Sequence, residues 1–201
     1  MATRSSKFQN VILHMMIPVV CSIIVGYIFY GLGVFDRYHG SFQFVMSAIV
    51  ASVFYYLLVY LRVRDAWLGL ILLTFATLLT TESTRPSYIL RDIFYVAAIG
   101  SAVFIYHTEF SQYAGHNRAF PAIILGGLYG ILSVIASEIH LWFIRTFAME
   151  DTGGTLVGLA ATTAFFGLLI GVAVGAGITL ADELLGRTKR SSSFPRAGSV
   201  T

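Results

Sequence analysis

The chain has 201 residues, of which 57% are hydrophobic and only 11% are charged, and its mean hydropathy is +0.79. A soluble globular domain carries about 25% charged residues, so this composition leaves too little polar surface to cover a water-soluble body. The net charge of +3 falls almost wholly between apolar runs, so we attribute it to membrane topology and predict no nucleic-acid partner. The single cysteine, Cys21, excludes an intrachain disulfide and a cysteine-based metal site.

Six long apolar runs predict helices that cross a lipid bilayer, because a helical span needs about 20 predominantly apolar residues. The runs cover 11–33, 42–61, 66–84, 87–107, 119–145 and 155–185. The first is longer than the apolar region of a signal peptide and no small-residue cleavage site follows it, so we expect an uncleaved span. The third is short and reaches bilayer length only if Glu82 to Thr84 continue its helix. The sequence therefore predicts an all-α membrane protein, a bundle of six transmembrane helices.

Lysine and arginine residues predict the orientation of the bundle. With the N-terminus inside, nine basic residues are cytoplasmic and four are outside, as the positive-inside rule requires for an even number of spans. The nine are Arg4, Lys7, Arg62, Arg64, Arg118, Arg187, Lys189, Arg190 and Arg196, and the four are Arg37, Arg85, Arg91 and Arg145. We therefore place residues 1–10 and a disordered basic tail, 186–201, in the cytoplasm. The charge bias favours the plasma membrane or a bacterial inner membrane.

Small residues recur every four positions in the last two predicted spans. Gly167, Gly171 and Gly175 share one face of the sixth span, and Gly126 and Gly130 begin a similar stripe in the fifth. Missing side chains on one face let another helix backbone approach closely. The stripes predict packing of the fifth span against the sixth, with homo-oligomerisation as the alternative.

One acidic residue stands inside the fifth predicted span. Glu138 lies about 28 Å along the helix from Ala119, near the predicted outer boundary. A charged group in a span costs roughly 2.5–3.5 kcal/mol on insertion scales and usually has a functional or pairing role. Snorkelling to the outer headgroups, or pairing with an outer arginine, is the alternative explanation. His140 lies about 200° away around the helix, continues the glycine stripe and is expected to face protein.

Further polar residues gather at the same predicted outer end. Glu82 and Arg85 lie between the third and fourth spans, and Arg91 and Asp92 begin the fourth. Charges of both signs suit a small polar or zwitterionic solute, and an arginine binds a carboxylate through two parallel hydrogen bonds. The candidate ligand-binding residues are therefore Glu82, Arg85, Arg91, Asp92, Glu138 and His140. Ion pairs that anchor the helix ends are the alternative explanation.

The sequence contains no catalytic or metal-binding motif that we can identify, so we predict no catalytic residue, metal or cofactor. Haem ligation across a bundle needs histidine pairs at matched depth. His14 and His107 can share a cytoplasmic level, but His140 has no partner at the outer level, so haem is not favoured.

In size and topology alone, this architecture resembles the substrate-capturing subunits of energy-coupling-factor vitamin transporters. The first hypothesis is a transport-type membrane protein that binds a small polar solute from the outer side, using Glu82, Arg85, Arg91, Asp92 and Glu138. A second hypothesis is a non-catalytic membrane subunit or scaffold whose glycine-striped helices dock on partner proteins, as a homo-oligomer or in a larger complex. A third is an intramembrane enzyme that uses Glu138 or His140 as an acid–base group.

Overall fold

The computed structural model describes residues 4–33, 39–80, 86–114, 117–147 and 156–185. Within these ranges the regular structure is helical throughout. The six long helices are α1 (Arg4–Gly31), α2 (His39–Tyr60), α3 (Val63–Thr80), α4 (Pro86–Ile105), α5 (Phe120–Thr146) and α6 (Leu156–Leu185). The predicted tail, 186–201, lies outside the described residues, as do Glu82 and Arg85.

Consecutive helices run in opposite directions. This is visible in the pairs that touch across neighbouring helices, which are Gly26 with Val45, Leu57 with Gly69, Leu70 with Gly100, Phe94 with Phe143 and Ala122 with Gly175. We call the end at which α1, α3 and α5 begin the base of the bundle, and the opposite end the top. Helix α1 therefore begins, and α6 ends, at the base.

Helix α2 occupies the middle of the bundle, where it packs against α1, α3, α4 and α6. Its apolar side chains are accordingly among the most buried in the protein, including Phe44, Val50 and Phe54. Helices α5 and α6 make the most extensive contact, and α1 and α4 pack on either side of that pair. Helix α3 lies at the edge, against α2 and α4.

The outside of the bundle is apolar. Large hydrophobic side chains such as Tyr27, Leu72, Ile131 and Leu184 are more than 60% exposed, which in water would be a large unfavourable surface. Among the described residues, four helical segments are long and apolar enough to cross a membrane, and a fifth, Phe44–Tyr60, is apolar but shorter. The four are Ile12–Gly31, Ile89–Tyr113, Phe120–Thr146 and Ala161–Leu185. The fold is that expected of a helical membrane protein.

Helix α4 does not end as a simple α-helix. After Ile105 the chain forms a π-helical turn, Tyr106–Phe110, and then a 3-10 turn, Ser111–Tyr113. The hydroxyl of Ser111 donates a 2.6 Å hydrogen bond to the carbonyl of His107, which helps to hold the turn. The sequence predicts a continuous span to residue 107, because a hydropathy pattern carries no signal for the wider turn. π-Helical turns are rare and occur frequently at functional sites.

Candidate functional site

The stripe of glycines lies where α5 and α6 meet. A Cβ atom added to Gly126 would lie 3.3 Å from the carbonyl oxygen of Leu168, and one added to Gly130 would lie 3.3 Å from that of Ala164. The glycines of α6 are packed more tightly still, since a Cβ at Gly175 would lie 2.5 Å from the backbone of Ala122. Gly167 and Gly171 likewise face the backbone of α5. The backbones of α5 and α6 therefore approach closely, and this pair of helices carries Ser137, His140 and Thr163.

In the upper half of the bundle, polar side chains from three helices point inward. The hydroxyls of Tyr95 on α4 and Thr163 on α6 lie 3.4 Å apart and form a hydrogen bond. Ser137 and His140 of α5 are 1% and 4% exposed, and the Ser137 hydroxyl oxygen has no hydrogen-bond partner among the described residues. A buried polar group without a partner is costly in a protein interior. We call Tyr95, Ser137, His140 and Thr163 the upper polar group.

A charged pair lies one helical turn above Tyr95. Two nitrogen atoms of the Arg91 guanidinium, Nε and Nη2, donate hydrogen bonds of 3.1 and 3.0 Å to Asp92. The side chains are only 26% and 20% exposed, although they stand near the end of a helix. Since residues four apart share a helix face, Arg91 lies on the same face of α4 as Tyr95. The pair therefore adds charges of both signs next to the upper polar group.

Glu138, the other acidic candidate among the described residues, lies on the surface of the bundle. The side chain of Glu138 is exposed on the surface of α5, on the side that also carries Ile131, Ile135 and Trp142. It has no ion pair with a described residue, and Arg145, two turns further along, is also exposed. The structure thus brings Arg91, Asp92 and His140 toward the interior and leaves Glu138 outside it. Glu82 and Arg85 lie outside the described residues.

An apolar layer lies below the upper polar group. A small cavity in this layer is lined by Tyr129 and by mainly aliphatic residues of α2, α4, α5 and α6, among them Ala51, Ile99, Val103 and Val174. The Tyr129 hydroxyl is hydrogen-bonded to Ser47 of α2. The layer separates the upper polar group from a second group of polar side chains at the base.

The second group is built from aromatic rings. His14 of α1 is 4% exposed and meets the edge of Tyr56 of α2 at 5.9 Å between ring centroids. Tyr56 packs at 5.1 Å against Tyr55, whose ring in turn contacts Tyr106 at 5.9 Å and His107 at 6.1 Å. We call these five residues the lower aromatic cluster. The π-helical turn of α4 therefore carries two members of a buried cluster.

A carboxylate borders the lower aromatic cluster. Asp182, near the end of α6, is half-buried and close enough to Tyr56 to interact with it electrostatically. The neighbouring Glu183 forms an ion pair of 2.9 Å with Arg118, in the turn before α5. Glu183 is thus paired with the turn before α5, whereas Asp182 lies near Tyr56.

Sequence reasoning did not find the partners Tyr95 and Thr163 or the cluster around Tyr56. Isolated tyrosine and threonine residues in an apolar run predict an interfacial belt or a helix surface, and nothing local shows that they meet. The one available signal was the shared depth of His14 and His107.

Within the described ranges, no three histidine, cysteine or carboxylate residues come together as metal ligands. No protein family, curated protein or solved structure matches this chain.

Proposed function

We propose that this chain is a transport-type membrane protein that binds a small polar solute in the upper half of its bundle. The observation that carries the proposal is the upper polar group, in which the buried hydroxyl of Ser137 has no partner among the described residues. A polar interior is expensive in a membrane protein and marks substrate pathways. A helix bundle that only anchors or scaffolds gains nothing from it.

The solute class follows from the neighbouring charges. Arg91 and Asp92 present a guanidinium and a carboxylate on one half-buried patch, so a zwitterion or a small polar molecule with a carboxylate finds a complement to each charge. Tyr95, Thr163 and His140 add groups that both donate and accept hydrogen bonds. Glu138 is left out of the proposed site because its side chain is exposed.

The topology that accompanies this proposal has six spans, with the base in the cytoplasm. The alternating helix directions put the start of α1 and the end of α6 on one side, and the basic residues favour that side as cytoplasmic. A cysteine placed at Thr201 in a Cys21→Ser background tests this. In right-side-out vesicles, an impermeant maleimide should label it only after permeabilisation. Labelling of intact vesicles would reverse the orientation and put the upper polar group at the cytoplasmic side.

Binding is tested by thermal unfolding of the purified full chain against a panel of amino acids, small carboxylates, amines and vitamins. A ligand at 100 times its Kd stabilises the folded state by about 2.7 kcal/mol. Thr163→Val should abolish the stabilisation, because it removes the hydroxyl that meets Tyr95. The matched control is Thr162→Val, the same substitution at the adjacent and exposed residue.

Two outcomes would count against the proposal. One is a hit that Thr163→Val and Ser137→Ala leave unchanged, which would place the solute elsewhere. The other is the absence of any hit together with co-purification of a fixed membrane partner, which favours the scaffold hypothesis. In that case the partner must dock on a face other than the glycine stripes, because these lie inside the contact of α5 with α6.

A further inference from the structure

We infer that the apolar layer is the closed gate of a pathway that runs through the bundle, from the upper polar group to the lower aromatic cluster. The inference deepens the proposed function and rests on it for the cargo, because the pathway is the route by which a solute bound in the upper half would reach the base. It is carried by two buried hydroxyls, by the helix faces that join them, and by the cavity in the layer.

A buried hydroxyl without a hydrogen bond to the described residues lies on each side of the apolar layer. Above the layer it is the hydroxyl of Ser137, and below the layer it is that of Tyr56. Buried polar groups of this kind are usually satisfied by internal water, so each hydroxyl marks a place that can hold a small polar molecule. A single solute site accounts for one of these places, whereas a passage through the bundle accounts for both.

The inner face of α4 runs through all three levels. Tyr95 belongs to the upper polar group, Ile99 and Val103 line the cavity in the layer, and Tyr106 belongs to the lower aromatic cluster. Steps of four, four and three residues keep these side chains on one face of a helix. Tyr95 and Tyr106 are about 16 Å apart along the axis, and the stretch from Ile99 to Val103 takes up about 6 Å of this. The apolar residues therefore interrupt a polar face for little more than one helical turn.

The layer leaves room between the helices but lines it mainly with apolar side chains. Protein interiors contain few voids, and this cavity lies where α2, α4, α5 and α6 meet, beside the small residues Ala51 and Gly171. Tyr55 of the lower aromatic cluster follows Ala51 by four residues, on the same face of α2.

An apolar cavity in this position acts as a gate. Cavities lined by aliphatic side chains stay dry, and hydrophobic constrictions close channels by excluding water. The layer therefore blocks a polar molecule as it stands. Because part of the room already exists, a modest movement of the lining side chains widens it and joins the two polar levels.

Proton flux through the full chain tests the gate, because a proton can follow any hydrated path. The protein is reconstituted in vesicles that enclose a pH-sensitive dye, and the leak is measured after a pH step with the membrane potential clamped by valinomycin and potassium. Val174→Thr keeps the shape of a side chain that lines the layer and adds one hydroxyl. We expect it to raise the leak about tenfold, the effect on hydration of one added hydrogen bond. The original protein should leak no faster than vesicles without protein.

Val172→Thr is the matched control, because it is the same substitution two residues away, on the exposed side of α6. It should leave the leak unchanged. If Val174→Thr does not fold, Ala51→Ser adds a hydroxyl to the same layer with a smaller change of volume. Adding Tyr56→Phe to Val174→Thr should reduce the leak, because it removes the buried hydroxyl below the gate. A bundle that had only become loose would continue to leak.

Any of four results would overturn the inference. They are a leak in the original protein equal to that of Val174→Thr, an equal leak in Val172→Thr, no added leak in either Val174→Thr or Ala51→Ser, and a leak that Tyr56→Phe does not reduce. Solute binding is measured separately, by thermal unfolding. A gated leak without any ligand would keep the pathway and remove the proposed solute, whereas ligand binding without a gated leak would keep the solute and remove the pathway.

Discussion

The contact of α5 with α6 yields the sharpest prediction about stability. Replacing Gly175 by alanine places a Cβ 2.5 Å from three backbone atoms, the Cα and N of Ala122 and the carbonyl carbon of Pro121. The shortest ordinary van der Waals contact is 3.4 Å, so the two backbones must separate by about 0.9 Å. Overpacking a well-packed interface costs about 1–3 kcal/mol. The upper end applies here, because no flexible side chain can turn aside.

Part of this destabilisation is offset, because alanine is favoured over glycine in a helix by up to about 1 kcal/mol. We therefore expect Gly175→Ala to lower the free energy of unfolding by about 2 kcal/mol, which is roughly a 30-fold change in the folding equilibrium. Unfolding by SDS in mixed micelles, followed by circular dichroism, measures this difference.

Gly127→Ala is the matched control. Gly127 lies on α5 beside the stripe, and a Cβ there meets no atom within 4 Å. This variant should be as stable as the original protein or slightly more stable, by the same helix propensity. If Gly175→Ala unfolds at the same SDS fraction as Gly127→Ala, close backbone packing does not hold the pair together and the reasoning is wrong.

Further substitutions test buried hydroxyls and the lipid-facing surface. Ser22→Ala should lower the free energy of unfolding by about 1 kcal/mol, because it removes the 2.7 Å hydrogen bond from the Ser22 hydroxyl to the Pro18 carbonyl. Ser137→Ala should leave the free energy of unfolding unchanged or raise it, since the Ser137 hydroxyl has no hydrogen-bond partner among the described residues. If SDS unfolding shows that Ser137→Ala and Ser22→Ala lose the same stability, the Ser137 hydroxyl does have a partner and this prediction is wrong. Trp142 is 60% exposed, while Trp67 packs against Phe54 and Phe104. Brominated lipids should therefore quench the fluorescence of Trp67→Phe more than that of Trp142→Phe, and equal quenching would argue against this arrangement.

Hydropathy gave a good account of where the helices lie. The predicted run 155–185 corresponds to α6 at Leu156–Leu185, and 119–145 corresponds to α5 at Phe120–Thr146. Apolar length is a local property, so it can be read along the chain without knowing the neighbours. The end of α4 could not be read in this way, because the π-helical turn depends on how Tyr106 and His107 pack against α2.

In the candidate site, too, some features can be predicted from the sequence and others cannot. The composition of the chain determines a membrane protein, and the four-residue spacing of glycines indicates which helix faces allow close packing. Arg91, Asp92 and His140 could be selected from sequence because charged or titratable residues stand out in apolar runs. Their placement toward the interior, and that of Glu138 on the surface, follows from how α4 and α5 are rotated within the bundle.

The inference of a helical membrane protein, from composition and the length of the apolar runs, needed no tertiary structure, because the bilayer constrains every span separately. Only the packed bundle joined Tyr95 to Thr163, which are 68 residues apart, and His14 to Tyr56. Such pairs depend on helix rotation and tilt, which are set by side-chain packing between helices and leave no period in the sequence. The two polar groups and the apolar layer between them were therefore decided by the tertiary structure.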